Sequence, residues 1–226
     1  MTESHRTPRL PLDLERIVGA AVRIADEHGL EAVTMRRVAT SLGVQAMSLY
    51  HHVRDKDALL TAMLDAVYER MALCSTAEGW RDAMRARATS MRQAFLAHPW
   101  SLGLVDAGTN PGPAALSHTD SLLGTLRSAG FSVAMAAHAA AVFDAFVYGF
   151  AVQERNLPFA DGPGVTDVAS DVLASMPEGA YPYLQEFAVE HVMKPGYAFG
   201  DEFAFGLELV LDGIERAAAA ERGTPG

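Results

Sequence analysis

Cysteine is all but missing from this 226-residue chain: Cys74 stands alone, which excludes an internal disulfide framework and any cysteine-rich zinc site. Histidine is present at eight positions but without ligand spacing. His98, His118, His138 and His191 have no His-x-x-x-His partner, and the adjacent pair His51 and His52 would point about 100° apart on a helix, too divergent to chelate one ion. There is no glycine-rich phosphate loop, and no Ser/His/Asp arrangement stands out, so the usual marks of a catalytic centre are lacking. Every apolar stretch is interrupted by a charged or polar residue within the ~20 residues a bilayer crossing needs, and the N-terminal MTESHRTPRLPLD has no apolar signal core. It reads as a flexible arm, and the whole as a cytoplasmic protein with no membrane partner, no cofactor and no metal. No β-alternating run and no internal repeat is found either.

Half of the residues are apolar, enough for one small domain and one larger one. The stretch from Thr34 to Lys56, TMRRVATSLGVQAMSLYHHVRDK, organises the first. Met35, Val38, Ala39 and Leu42 fall at helical spacing behind Thr34, whose hydroxyl is placed to cap the helix. Gly43 ends it with a sharp turn flanked by Leu42 and Val44. The next helix, Ala46 to His52, directs Leu49 and Val53 inward and small or polar residues outward. This pattern predicts a helix-turn-helix, whose second helix enters the DNA major groove.

Three segments, IVGAAVRIADEHGLEAVTM, TMRRVATSLGV and SLYHHVRDKDALL, together resemble the DNA-binding head of the TetR family of bacterial transcription regulators. The run FAFGLELVLDGIERAAA resembles the last helix of the tetracycline-repressor-like branch. The resemblance implies an all-α fold: an N-terminal three-helix head within residues 1–74, ending in a connecting helix, and a larger helical ligand-binding and dimerisation domain over residues 75–226. It implies a ligand-responsive DNA-binding regulator, a homodimer released from a palindromic operator by a small-molecule inducer. The alternative is a helical small-molecule-binding protein or enzyme in which the N-terminal motif does not bind DNA.

Evenly spread, a formal charge of −10 would oppose a nucleic-acid partner. Split at Arg70, however, the chain carries nine basic and ten acidic residues before the cut and nine against eighteen after it. Phosphate attraction is local, decaying over about 8 Å, so Arg36, Arg37, Arg54 and Lys56 with the arm residues Arg6 and Arg9 suffice for a basic face.

Carried onto this sequence, the family's reading positions are Gln45, Ala46, Met47, Ser48, Tyr50, His51 and His52, with Arg36 on the preceding helix. Arg36 suits guanine and Gln45 suits adenine. Thr34, Ser48, Tyr50 and Lys56 suit phosphate, which sets register.

Farther along, the pattern predicts helices from Asp13 to His28, from Lys56 to about Leu73, from Trp80 to His98, from Ala114 to Ala129, from Ser132 to about Arg155 and from Phe199 to about Arg222. Leu157 to Gly164 and Pro177 to Pro182 read as Pro/Gly breaks. Met91, Phe95, Trp100, Leu104, Phe143, Phe146, Val147 and Phe150 are candidates to line an apolar pocket, with Asp106, Asp144, Gln153 and Asn156 as orienting groups. Each of these serves equally well as core packing. In the tetracycline-repressor branch a histidine before a Gly-Thr-Arg-Pro turn and a glutamate on the following long helix help bind magnesium-tetracycline. Here Asp106 precedes Gly108-Thr109-Asn110-Pro111 and Gln153 stands at the glutamate position, so that ligand set is not reproduced.

Overall fold

The computed structural model describes residues 11–75, 77, 79–157, 163–177 and 179–223. All regular structure among them is helical. The chain divides into two compact units, residues 1–71 with 97–118, and residues 72–96 with 119–226.

The first unit opens with α1, Leu14–His28, started by Asp13, whose carboxylate accepts the Arg16 amide at 2.8 Å. Its Ile17, Ala21 and Ile24 are buried as the stripe predicts, whereas Leu14, in the first turn, stays half exposed. A short 3-10 turn, Leu30–Ala32, leads to α2, Met35–Leu42, capped by the Thr34 hydroxyl on the Arg37 amide at 3.1 Å. Gly43 closes α2 in the left-handed conformation (φ 67°, ψ 31°), and the Val44 amide returns to the Ala39 carbonyl. That paired closure satisfies the last carbonyls of α2 and is open to glycine at little cost.

Helix α3 is shorter than its pattern predicts, Ala46–Leu49 instead of Ala46 to His52. The His52 and Val53 amides both fold back onto the Leu49 carbonyl, so Tyr50 to His52 form a turn that delivers Val53 to the core. Helix α4, Lys56–Tyr68, follows, its start capped by Asp55 on the Ala58 amide at 2.8 Å. It too ends before the predicted Leu73. The Arg70 and Met71 amides bond three residues back, tightening the last turn, before the chain leaves the helix. Leu59, Met63, Leu64 and Val67 of α4 are buried, and α4 packs on α1. Each large aliphatic side chain so buried contributes about 1.5–3 kcal/mol. The unit is completed by α6, Ser101–Asp106, and the first turns of α7, Pro113–Ser128; α6 packs on α4.

The second unit contains most of α5, Trp80–Ala97, the remainder of α7, and α8, Val133–Asn156, whose Ser132 cap accepts the Met135 amide at 3.0 Å. Then come α9, Pro163–Ser175, and α10, Pro182–Phe187, a π-helical turn over Ala188–Val192 and a 3-10 turn over Phe199–Asp201 that opens into α11, Glu202–Gly223. Helices α8 and α11 pack together, burying Phe143, Val147, Phe203, Leu207 and Leu211. Arg81 of α5 bonds Glu208, Asp212 and Glu215 of α11, and Arg85 grips both oxygens of Glu208.

Against the sequence expectation, α8 is long and apolar enough, by length and composition, to cross a membrane. Two of its charged groups are engaged inside the unit: Glu154 pairs with Arg92, and Asp144 lies 3.6 Å from Arg87.

Candidate DNA-reading surface and ligand-domain interior

Around the Gly43 turn the first unit sorts its side chains cleanly. Val38, Ala39, Leu49 and Val53 are buried, while Thr34, Arg36, Gln45, Met47, Tyr50, His51, His52 and Lys56 are exposed and Ala46 and Ser48 are partly so. Met47 stands 71% exposed at the middle of α3, and Tyr50 is 45% exposed. One short helix therefore presents its outer face on a base made by α1, α2 and α4. Thr34 has two engagements to divide: its hydroxyl caps α2, so its contact with a phosphate would have to share that oxygen. Arg54 pairs with Asp55 at 2.6 Å, and that aspartate holds the Arg54 guanidinium above its ordinary range while its own carboxyl is lowered, chiefly by the Ala58 amide. Arg6 and Arg9 lie outside the described residues.

The candidate ligand residues fall in both units. Trp100, Leu104 and Asp106 belong to the first; Met91, Phe95, Phe143, Asp144, Phe146, Val147, Phe150, Gln153 and Asn156 belong to the second. Trp100 is buried with its indole N–H donating to Asp26 at 2.6 Å, Leu104 is buried, and Asp106 is exposed. In the second unit Met91, Phe95, Phe143 and Val147 are fully enclosed, Phe146 and Phe150 are partly open, and Gln153 and Asn156 face outward. Burial pushes the Asp144 carboxyl above the usual carboxylate range, opposed by the nearby Arg87 guanidinium.

Sequence reasoning missed the best-defined polar feature of this interior. Arg92 holds Glu154 through both oxygens, at 2.5 and 2.8 Å, with its guanidinium 5.6 Å from the Phe150 ring and 5.0 Å from that of Phe203. Phe146 stacks on Phe203, and Phe150 on Phe199. Two glycines make room: a Cβ on Gly200 would strike Arg92, and one on Gly206 would strike Phe146. The spacing of Phe199 and Phe203, one turn apart, was a readable signal; that Arg92 would meet Glu154, 62 residues away, was not.

Two family profiles match the chain. The one described as bacterial regulatory proteins, tetR family, covers residues 17–63, which hold the candidate reading surface. The one described as tetracyclin repressor-like, C-terminal domain, covers residues 75–218. The chain belongs to the TetR family. Among its relatives, the HTH-type transcriptional repressor DrrR1 of Streptomyces coeruleorubidus is 36% identical over 231 residues, spanning 96% of this chain and 83% of that one. The tetracycline repressor protein class C of Escherichia coli is 32% identical, spanning 91% of each. Among solved structures, the TetR-family protein ActR of Streptomyces coelicolor in complex with actinorhodin superposes with a TM-score of 0.78 at 28% identity, covering 92% of this chain and 97% of that one. These relatives are transcriptional regulators. As a TetR-family protein, this chain is a ligand-responsive, DNA-binding regulator of transcription.

Proposed function

We propose that the chain acts in the cytoplasm as a homodimeric repressor that holds a near-palindromic operator and leaves it when a small-molecule inducer occupies the second unit. The observation that carries this reading is the solvent-facing row on α3 and its flanks, supported from behind by Leu49 and Val53. Arg36 and Gln45 read base edges, and Thr34, Ser48, Tyr50 and Lys56 fix register on phosphates, with Ala46, Met47, His51 and His52 completing the surface. Two copies of this helix about 34–36 Å apart meet successive major-groove faces, which is why the operator is two-fold related.

Helices α8 and α11 supply the dimer surface. Phe205 and Leu209, one turn apart on α11, stand exposed in the single chain on the face opposite buried Phe203, Leu207 and Leu211, and Val133 and Val142 are exposed on the two flanks of α8. Apolar side chains exposed on these packed helices favour burial against a second copy. The inducer is held among Met91, Phe95, Phe143, Phe146, Val147 and Phe150. Asp144, Gln153 and Asn156 orient it.

A fluorescence titration of the full-length protein against the promoter region beside its own gene tests this. Salt-sensitive, sequence-selective binding by a dimer is expected. Binding that ignores sequence, or none, defeats the reading.

A further inference from the structure

Helix α7 starts at Pro113, and the residue before it, Gly112, has no side chain with which to satisfy the orphan amides of the first turn. Asp65 does so from α4. Its Oδ2 accepts the Ala114 N–H at 3.2 Å and its Oδ1 accepts the Ala115 N–H at 3.0 Å. A carboxylate there meets both the donors and the positive end of the helix dipole. Glycine at 112 is required by the same arrangement, since a Cβ at that position would overlap the entire Asp65 carboxylate. The fit is therefore reciprocal: an acid on one helix replaces the missing cap of another, and the missing side chain makes space for the acid.

A second tie lies further along the same stretch, where the Arg70 guanidinium meets His98 Nε2 at 2.7 Å. All of these residues belong to the first unit. Helix α4 begins at the Asp55 cap, directly after the reading turn, and Asp65 lies ten residues on, about 15 Å along the helix at 1.5 Å per residue. One rigid helix thus has the reading surface at its start and the α7 N-terminus fastened near its end.

We propose that Asp65 is a positioning residue for operator binding. By capping α7 across the chain, it sets the orientation of α4, and with it of α3, against the segment that enters α7. The proposal rests on the operator-binding reading above and adds the joint through which that binding is set. A helix N-terminus clamped by two directional bonds cannot slide along α4 without losing them.

The test is operator titration of the full-length protein as wild type, Asp65→Ala, Asp65→Asn, Gly112→Ala and the Asp65→Ala/Gly112→Ala double variant, with hydrogen exchange on each. Asp65→Ala and Gly112→Ala should each weaken operator binding by about 2- to 30-fold, the range spanned by loss of one helix cap, with no DNA-facing side chain changed. Asp65→Asn, which keeps one acceptor oxygen, should fall between wild type and Asp65→Ala, and it carries the test if the alanine variant does not fold. The double variant should bind no worse than the weaker single one, because both open the same joint. The Ala114 and Ala115 amides should lose protection in Asp65→Ala while α8 and α11 keep theirs. Wild-type operator affinity in Asp65→Ala, even with a lower melting point, overturns the proposal, as do additive losses in the double variant. A wild-type protein that binds no operator is a separate result, which removes the underlying reading and the proposal with it.

Discussion

The Arg70 guanidinium lies 2.7 Å from Nε2 of His98, and because arginine can only donate, that nitrogen must carry the lone pair. The ring proton is therefore on Nδ1, where Asp26 Oδ1 accepts it at 2.8 Å while also accepting the Trp100 indole N–H. Three separate stretches of the first unit meet at this one imidazole.

His98→Leu should leave the Asp26 carboxylate with the Trp100 indole alone and the Arg70 guanidinium without the ring, both on solvent-exposed residues that water can satisfy. The net worth of such hydrogen bonds is about 0.5–1.5 kcal/mol each, so a modest fall in the urea midpoint with an unchanged slope is expected. Nitrogen chemical shifts of the His98 ring in the wild-type protein should report the neutral Nδ1–H form, and the opposite tautomer would contradict the bonding described.

Glu154 is 6% exposed on its side chain and Arg92 23%, so breaking their pair strands a charge inside the second unit. Glu154→Ala should destabilise by about 3 kcal/mol, the low end of the range for a broken buried pair. Gly200→Ala should also destabilise, through collision with the Arg92 guanidinium, and calorimetry of both variants measures it.

Acid should loosen the ladder between α5 and α11 only at low pH. The Arg85 guanidinium, helped by Arg81, holds the Glu208 carboxyl down to about 2. An unfolded glutamate titrates near 4.3, so this stabilisation is full above that value and is lost as pH falls through about 2. Asp144 works in the other direction: its raised carboxyl favours folding below the unfolded value and gives that up as pH rises through its folded one. Thermal melts of wild type and Glu208→Gln between pH 5 and about 2 should converge as the pH falls, and parallel curves would show that Glu208 is not the titrating group.

Arg36→Ala should weaken operator binding and lower its salt slope by about one if Arg36 meets phosphate, or relax base preference at one position at a cost of about 1–3 kcal/mol if it meets guanine. Its dimer, measured by sedimentation, should be unchanged. Gly43→Ala should lose stability by about 1 kcal/mol, because alanine must then adopt the left-handed backbone at φ 67°. A stable Gly43→Ala variant with full operator affinity would show that the turn tolerates a side chain.

Much of this architecture was legible from local chemistry. The caps Asp13, Thr34, Asp55 and Ser132 all accept the amide three residues on, because short acceptor side chains at helix starts have few competing options. Proline was harder. Pro163 and Pro182 read as breaks in sequence, yet each is the first residue of a helix, where its missing N–H costs nothing. Helices α9 and α10 were therefore overlooked. The outward row on α3 was visible from periodicity, but its length was not, since the closing bonds from His52 and Val53 depend on burying Val53. Least legible were the long-range partners. Nothing in the neighbourhood of Asp65, Arg92 or His98 indicates that each meets a group far along the chain, because such pairs are selected by tertiary geometry and not by spacing.

If α3 enters the major groove as proposed, Met47, at the most open point of that helix, brings to the duplex an unbranched thioether with no strong hydrogen-bonding capacity. What such a side chain distinguishes in a groove is the C5 methyl of thymine. An operator synthesised with deoxyuridine opposite Met47 should bind this protein more weakly although every base pair keeps its hydrogen-bonding pattern, and Met47→Ala should erase the difference.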